Sequence, residues 1–268
     1  MALAMASIMG FWSCGSKEKQ QESGKQETVT RDMMFESYTY DLLGEFVDSD
    51  SLLNRGEAYI RFSSQGVLPR DLGDGSVKLL RDSLMKLAGI VEGDDGKPVP
   101  MMPDSMSVAP NEADTIEDTG YEYSTLTATL VTPRVVVWEA YRESYPWHAA
   151  HGNLSKTFVN YSLGDGNMLT LSDLMKPGYE ATLKKNIQEK IKGKEISLLC
   201  PLNEVGISDE FAITSTGLLF SYDPYLITPY SEGIITIEIP VEELTELLNE
   251  RGIYLITGAT PLQNQNQN

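Results

Sequence analysis

Glu210–Leu248, EFAITSTGLLFSYDPYLITPYSEGIITIEIPVEELTELL, decides the fold class. Phe211 and Ile213 share one phase, as do Leu218, Phe220 and Tyr222, and then Ile235, Ile237 and Ile239. Thr214, Ser221, Thr236 and Glu238 fill the opposite phase, the period-two pattern of half-buried strands. Gly217 closes the first turn, and Asp223-Pro224 and Gly233 punctuate the longer connection to the third strand. Pro240 ends the sheet and opens a helix, since its missing N–H is no loss at the first helical position. Val241, Leu244, Leu247 and Leu248 give that helix an apolar face, with Glu242, Glu243 and Glu246 outside. A meander with a packing helix follows, and neither carries a reactive group.

Upstream, Leu126, Ala128 and Leu130 alternate with Thr125, Thr127 and Thr129, and Pro133 permits a bend before Val135, Val136, Val137 and Trp138. Phe158–Tyr161 reads as the next strand and Gly164–Asn167 as a turn. Leu183, Ile187 and Ile191, at successive i+4 spacings, predict a helix over Tyr179–Lys192. Nearer the N-terminus, Phe35, Tyr38, Tyr40, Phe46, Tyr59 and Phe62 mark strand-like stretches. Ser76 then caps a helix whose stripe is Val77, Leu80, Leu84, Leu87 and Ala88, ended by Gly89. Residues 92–118 hold eight acidic side chains, one lysine and four prolines without periodicity, which predicts a mobile acidic linker or large surface insertion. The expectation is an α+β protein, an antiparallel β-sheet covered by two helices. Residues 29–91 form a smaller N-terminal strand–helix region, residues 119–260 the main domain, and residues 261–268 a disordered polar tail.

The chain of 268 residues is 41% hydrophobic and 22% charged, ordinary for a soluble protein, but its net charge is −18. That charge argues against nucleic acid, whose phosphates need clustered Lys and Arg, and reads either as a solvated acidic surface or as steering of basic partners. Residues 1–13, MALAMASIMGFWS, are uncharged and end on Ser13 before Cys14, after which a hydrophilic run begins. This order matches a bacterial lipoprotein signal, with Cys14 as the expected acylated anchor, the alternatives being an ordinary secretory signal or a cytoplasmic start. Trp12 and Phe11 are bulkier than usual there, and no Lys or Arg precedes the run. Residues 14–28, with no aromatic or branched apolar side chain, then serve as a flexible tether. The expected location is the cell envelope, periplasmic or surface-exposed, with the membrane reached by lipid alone. Cys200, the only other cysteine, reads as an inert core thiol.

The run GLLFSYDPYLITPYSEGIITIEIP resembles the C-terminal domain of the RsiV-like family, through Gly217, Leu218, Pro224, Tyr225, Pro229, Tyr230, Gly233 and Pro240. Leu169–Met175, LTLSDLM, is similar to a second family segment. The family includes a lysozyme-sensing anti-sigma factor. The resemblance therefore implies non-catalytic binding or sensing outside the cytoplasm, with a lysozyme-like basic protein or a peptidoglycan fragment as partner. A structural or assembly lipoprotein is the alternative, and an uncharacterised hydrolase a more distant one.

The stretch SYPWHAAHGN, Ser144–Asn153, holds both histidines and one of the three tryptophans. Its Ala150-His151-Gly152 resembles a hairpin of the family, although Trp147 and His148 stand where relatives carry glycines. Tyr145, Trp147, His148 and His151 are the candidate binding residues, with Trp147 expected at the surface as a stacking anchor. The plainer reading is a packing hairpin in which His151 bonds only nearby backbone. Zinc takes three or four protein ligands, and two histidines with one buried cysteine do not supply them. No nucleophile elbow, Walker loop or dinucleotide fingerprint occurs. No metal, cofactor or catalytic residue is therefore expected.

Overall fold

The computed structural model describes residues 33–46, 59–70, 75, 77–109 and 119–259. Cys14, the leader, the tether, Ser76 and the tail lie outside the described residues. The elements run β1 (Phe35–Phe46), β2 (Tyr59–Pro69), α1 (Lys78–Leu87), β3 (Ile90–Glu92), β4 (Pro98–Pro100) and β5 (Met106–Val108). There follow β6 (Gly120–Val131), β7 (Val135–Tyr145), β8 (Asn153–Ser162), β9 (Asn167–Met168), α2 (Leu171–Leu174) and α3 (Glu180–Lys192). The last are β10 (Phe211–Ile213), β11 (Gly217–Tyr222), β12 (Ile235–Pro240), α4 (Val241–Leu244) and α5 (Glu250–Thr257).

The fold is α+β. A seven-stranded sheet is ordered β5-β1-β2-β6-β7-β8-β9, and a separate three-stranded sheet β10-β11-β12. All pairings are antiparallel except β2 with β6, which run parallel from Ile60↔Gly120 to Gly66↔Leu126. Beyond Gly66 these two strands part. The carbonyl of Val67 is taken by the Trp138 indole at 3.2 Å and that of Pro69 by Arg81 at 3.1 Å. Arg81 is buried and ion-pairs with Glu36.

The described part of this segment, residues 92–109, forms short paired strands where an acidic linker is expected. Pro98–Pro100 pairs with Ile90–Glu92, and Met106–Val108 pairs with Gly44–Phe46 at the edge of the main sheet. Prolines suit such strands, because an edge needs hydrogen bonds on one side only. The expected boundary between residues 29–91 and 119–260 is corrected with it, since β2 and β6 continue one sheet across that boundary.

Two cores lie on opposite faces of the main sheet. On one, α1 buries Leu80, Leu84 and Met85 against Leu126, Trp138 and Tyr161. A buried polar thread crosses it, with Ser124 Oγ 2.7 Å from both Ser64 Oγ and the Ala88 carbonyl. On the other face, Val135 and Val137 meet the three-stranded sheet and Leu183, Ile187 and Ile191 of α3. β10 and most of β11 are buried in both phases, including Ala212 and Ser221. The half-buried reading of these strands is corrected accordingly: one side meets the main sheet, the other the helices.

The predicted helix over residues 241–248 is one turn only, α4. Asn249 starts a fresh helix, accepting from the Gly252 amide at 2.8 Å and donating to the Asp173 and Met175 carbonyls, each at 3.1 Å. Gly252 lies so close to α2 that a Cβ would stand 2.2 Å from the Leu174 carbonyl oxygen. Arg251 completes the joint, reaching Asp165 at 2.6 Å and Asp173 at 3.2 Å. Cys200 is free and partly buried against this core.

The outer side of β8 is sealed by side chains. Its Lys156 and Phe158 amides donate to Asp223 at 3.0 Å and Glu210 at 3.1 Å. Asn160 bonds the β10 backbone twice, to the Phe211 carbonyl at 2.8 Å and from the Ile213 amide at 2.7 Å. Burial raises both Glu210 and Asp223 above the ordinary carboxyl range.

Candidate functional site: a tyrosine face beside a presented loop

β7 carries Val135, Val137, Glu139, Tyr141, Glu143 and Tyr145 on one face, because alternate residues of a strand share a side. The two valines lie under the three-stranded sheet. Glu139 bonds Lys156 at 3.1 Å at the margin of that cover. Tyr141, Glu143 and Tyr145 continue beyond it, and cross-strand pairing adds Tyr121 opposite Tyr145 and Tyr123 opposite Glu143. All five are partly exposed.

Glu143 joins two phenols: Tyr121 donates to one carboxylate oxygen at 2.5 Å and Tyr141 to the other at 3.0 Å. The Glu143 hydrogen bond pushes Tyr121 up to about 12, while Tyr141 reaches about 12 through burial first and Glu143 second. Both phenols stay protonated donors at any physiological pH, so the row is a rigid hydrogen-bonded platform. Tyr121 stacks on Tyr145 at 5.9 Å, and Tyr123 meets Tyr141 edge-on at 6.3 Å.

The hairpin and the β11–β12 connection close in beside this row. His151 stacks on Tyr230 with ring centres 4.3 Å apart, and its Nε2 lies 3.1 Å from the Tyr225 hydroxyl. Its Nδ1 is 2.8 Å from the Gly152 carbonyl. A carbonyl only accepts, so Nδ1 carries the proton of the neutral ring and Nε2 accepts from Tyr225. Gly152 is required here: a Cβ would meet the Ser144 carbonyl oxygen at 2.5 Å. Tyr225 holds φ 71°, left-handed backbone that costs a residue other than glycine about 1 kcal/mol or more. The strain presents a tip on which Tyr225 and Leu226 are 56% and 61% exposed. Leu199, 56% exposed, lies alongside through its amide bond to the Ile227 carbonyl at 2.9 Å.

Of the four residues named from sequence, His151 and Tyr145 join this arrangement. Tyr145 also donates to the Ala149 carbonyl at 3.0 Å, holding the hairpin turn. Trp147 is only half-buried, yet its indole Nε1 is withdrawn from solvent and meets no acceptor among the described residues. Its ring lies 4.6 Å from His148, which takes φ 61° at the turn. Sequence reasoning missed Tyr121, Tyr123, Tyr141, Glu143, Tyr225 and Tyr230 as site residues. Two signals were present: tyrosines at i+2 spacing in β6, and the repeated Pro-Tyr of 224–225 and 229–230. Among the described residues no group of three or more His, Cys, Asp or Glu is placed to hold a metal ion. No helix among them is long and apolar enough to cross a membrane.

The segment that carries α2 through α4, including the tip, has known relatives. Residues 172–242 match the family model DUF3298, a protein of unknown function. The DUF3298 segment thus contains Tyr225 and Tyr230 but not the hairpin that supplies His151. A DUF3298 family member from Bacteroides fragilis has a similar fold, at 17% identity and TM-score 0.60, over 84% of this chain and 96% of that one. A DUF3298 protein from Pseudomonas aeruginosa matches at 17% identity and TM-score 0.57, over 86% of this chain and 99% of the other. No curated protein matches the chain.

Proposed function

We propose that this chain is a non-catalytic binding or sensing module of the bacterial envelope, anchored through lipid on Cys14, whose partner is a basic, wall-directed protein of the lysozyme kind. The observation that carries the reading is the Tyr225–Leu226 tip, held in strained backbone by His151 and set beside an uncovered tyrosine row. An exposed aromatic and an exposed leucine on a braced loop have the make-up of an interface anchor. The net charge of −18 supplies attraction for a basic partner and speeds encounter. The RsiV-like character of the Pro-Tyr turns points to the same partner class.

Binding of purified protein to a basic lysozyme tests this. Affinity should fall as salt rises, and Tyr225→Ala with Leu226→Ala should weaken it by about 2 kcal/mol or more, with the melting temperature held within a few degrees. Absence of salt-sensitive binding to any basic muramidase would remove the reading. Fractionation of cells carrying Cys14→Ala tests the anchor separately, by release of the protein from membranes.

A further inference from the structure

The positive charge of this acidic chain is gathered in one place. Residues 176–194, KPGYEATLKKNIQEKIKGK, hold six lysines and two carboxylates, in a chain with 21 basic and 39 acidic side chains. No Lys or Arg follows Lys194 except Arg251. α3 buries Leu183, Ile187 and Ile191, and its periodicity sends Lys185 and Lys192 to the opposite side, two turns and roughly 10 Å apart. Both are exposed, as is Lys194 just past the helix, and Lys184 flanks them half-buried.

Two of the six lysines are engaged: Lys190 with Glu243 at 2.6 Å and Lys176 with the Glu246 carbonyl at 3.0 Å. Lys184, Lys185, Lys192 and Lys194 ion-pair with no described residue. The helix dipole favours cations in the last turn and an acid in the first. That accounts for Lys190, Lys192 and Glu180 but not for Lys184 and Lys185 in mid-helix. Glu189, and Glu195 just beyond the segment, are the carboxylates left among the free lysines.

The kind of cation selects the partner. All six are lysine and none is arginine. The guanidinium fork suits a fixed carboxylate or phosphate, and protein interfaces are enriched in Arg and depleted in Lys. Point charges on flexible stems suit a diffuse negative field, which an anionic bilayer offers. The apolar side of α3 is spent on the core, so the helix can lie on headgroups but not enter them. Nor does the net charge of −18 cancel the attraction. Fields in physiological salt die away over about 8 Å, and acids on the far side of the domain do not reach the lipid. Residues 15–32 extend to roughly 60 Å at most, enough slack to let α3 turn towards a membrane that holds Cys14.

We propose that the lysine stripe of α3 rests on an anionic lipid surface, a second membrane contact besides the acyl chain on Cys14. The inference rests on the envelope placement proposed above, but not on the protein partner. The test sediments the full chain carrying Cys14→Ala, which has no acyl chain, with two sets of vesicles. One is phosphatidylcholine alone, and the other contains about a third phosphatidylglycerol. The protein should pellet with the anionic vesicles, far less with the neutral ones, and progressively less as salt rises. Each lysine at such a surface is worth about fivefold, so Lys185→Gln with Lys192→Gln should weaken binding about tenfold or more. The melting temperature should stay within a few degrees, and Tyr225→Ala should leave vesicle binding unchanged. No pelleting with anionic vesicles, equal pelleting with neutral ones, or full binding by the double variant would overturn the proposal. So would displacement by polyglutamate at equal charge, which would make the stripe a surface for acidic polypeptide. Vesicle binding without lysozyme binding would retire the protein partner alone, and the converse would retire the stripe alone. A salt wash strips adsorption of this kind, so washed membranes from Cys14→Ala cells still report the acyl anchor by itself.

Discussion

The two halves of one face of β7 differ by three side chains, and that difference sets what each half does. Val135 and Val137 lie under the three-stranded sheet, whereas Tyr141, Glu143 and Tyr145 of the same phase stay open. The strand is continuous and the backbone pairing to β6 and β8 extends through both halves. Cover therefore follows from what the outward phase offers. Valine methyls gain only by leaving water, while a carboxylate holding two phenols keeps its solvation when left open. Alternation decides which residues face out, and their chemistry decides whether anything lands on them.

The sharpest way to break this comparison is to place a charge under the cover. Val137→Asp buries an unpaired carboxylate in the core and should cost ~4 kcal/mol or more, seen as loss of the cooperative urea transition. The matching change in the open half is Tyr123→Ser. It removes one edge-on aromatic contact and should cost no more than ~1.5 kcal/mol by the same measurement. Similar losses at both positions would mean the open half is as tightly packed as the covered one.

Two smaller effects sharpen the comparison at the fastenings of the cover, and their signs oppose. Asp173 is held below the ordinary carboxyl range by the Thr170 backbone and hydroxyl and then by Arg251, and Asp165 by the Ser162 hydroxyl and then Arg251. A lowered folded-state pKa contributes stability above the unfolded value of 3.8, lost as pH falls through the folded one. Asp173→Asn should therefore lower the melting temperature at pH 6, with the gap to the parent closing in stronger acid. Glu210 and Asp223 are raised, so their contribution is present below the unfolded pKa and is lost as pH rises through the folded one. Glu210→Gln with Asp223→Asn, which keep the acceptor oxygens, should raise the melting temperature slightly at pH 7 and change it little near pH 3. A drop at pH 7 would show that the charges themselves hold β8.

Local signals in the sequence were sound where a segment's neighbours are close in the chain. The strand at Thr125–Ala128, the i+4 stripe of Leu183, Ile187 and Ile191, and the Leu218–Ile239 meander all correspond to elements found, while a β-bulge between Ala128 and Leu130 turns Leu130 to the other core. Contacts over long separations were not legible. The pairing of β2 with β6 and the docking of β5 on β1 depend on chain paths that periodicity does not encode. α5 was not read from the sequence although Asn249 is a favoured N-cap residue, and the carbonyls of Asp173 and Met175 that fix it lie more than 70 positions away. The site divides the same way. His151 was visible as an unusual residue in a turn, but its partner Tyr225 lies 74 positions away. The tyrosines of β6 and β7 were hidden by their ordinariness as strand residues, and only their partial exposure, with no described element packed over them, makes them a surface.

The sealed side of β8 bears on how this protein behaves when crowded. A strand whose amides point at empty space is a template on which a second molecule can extend the sheet, and fibrils grow in that way. Here the donors of Lys156 and Phe158 are already occupied by carboxylates, and Asn160 is spent on β10. A newcomer would have to displace these partly buried acids before gaining its first rung. This strand therefore offers a second copy no free rung on which to extend the sheet.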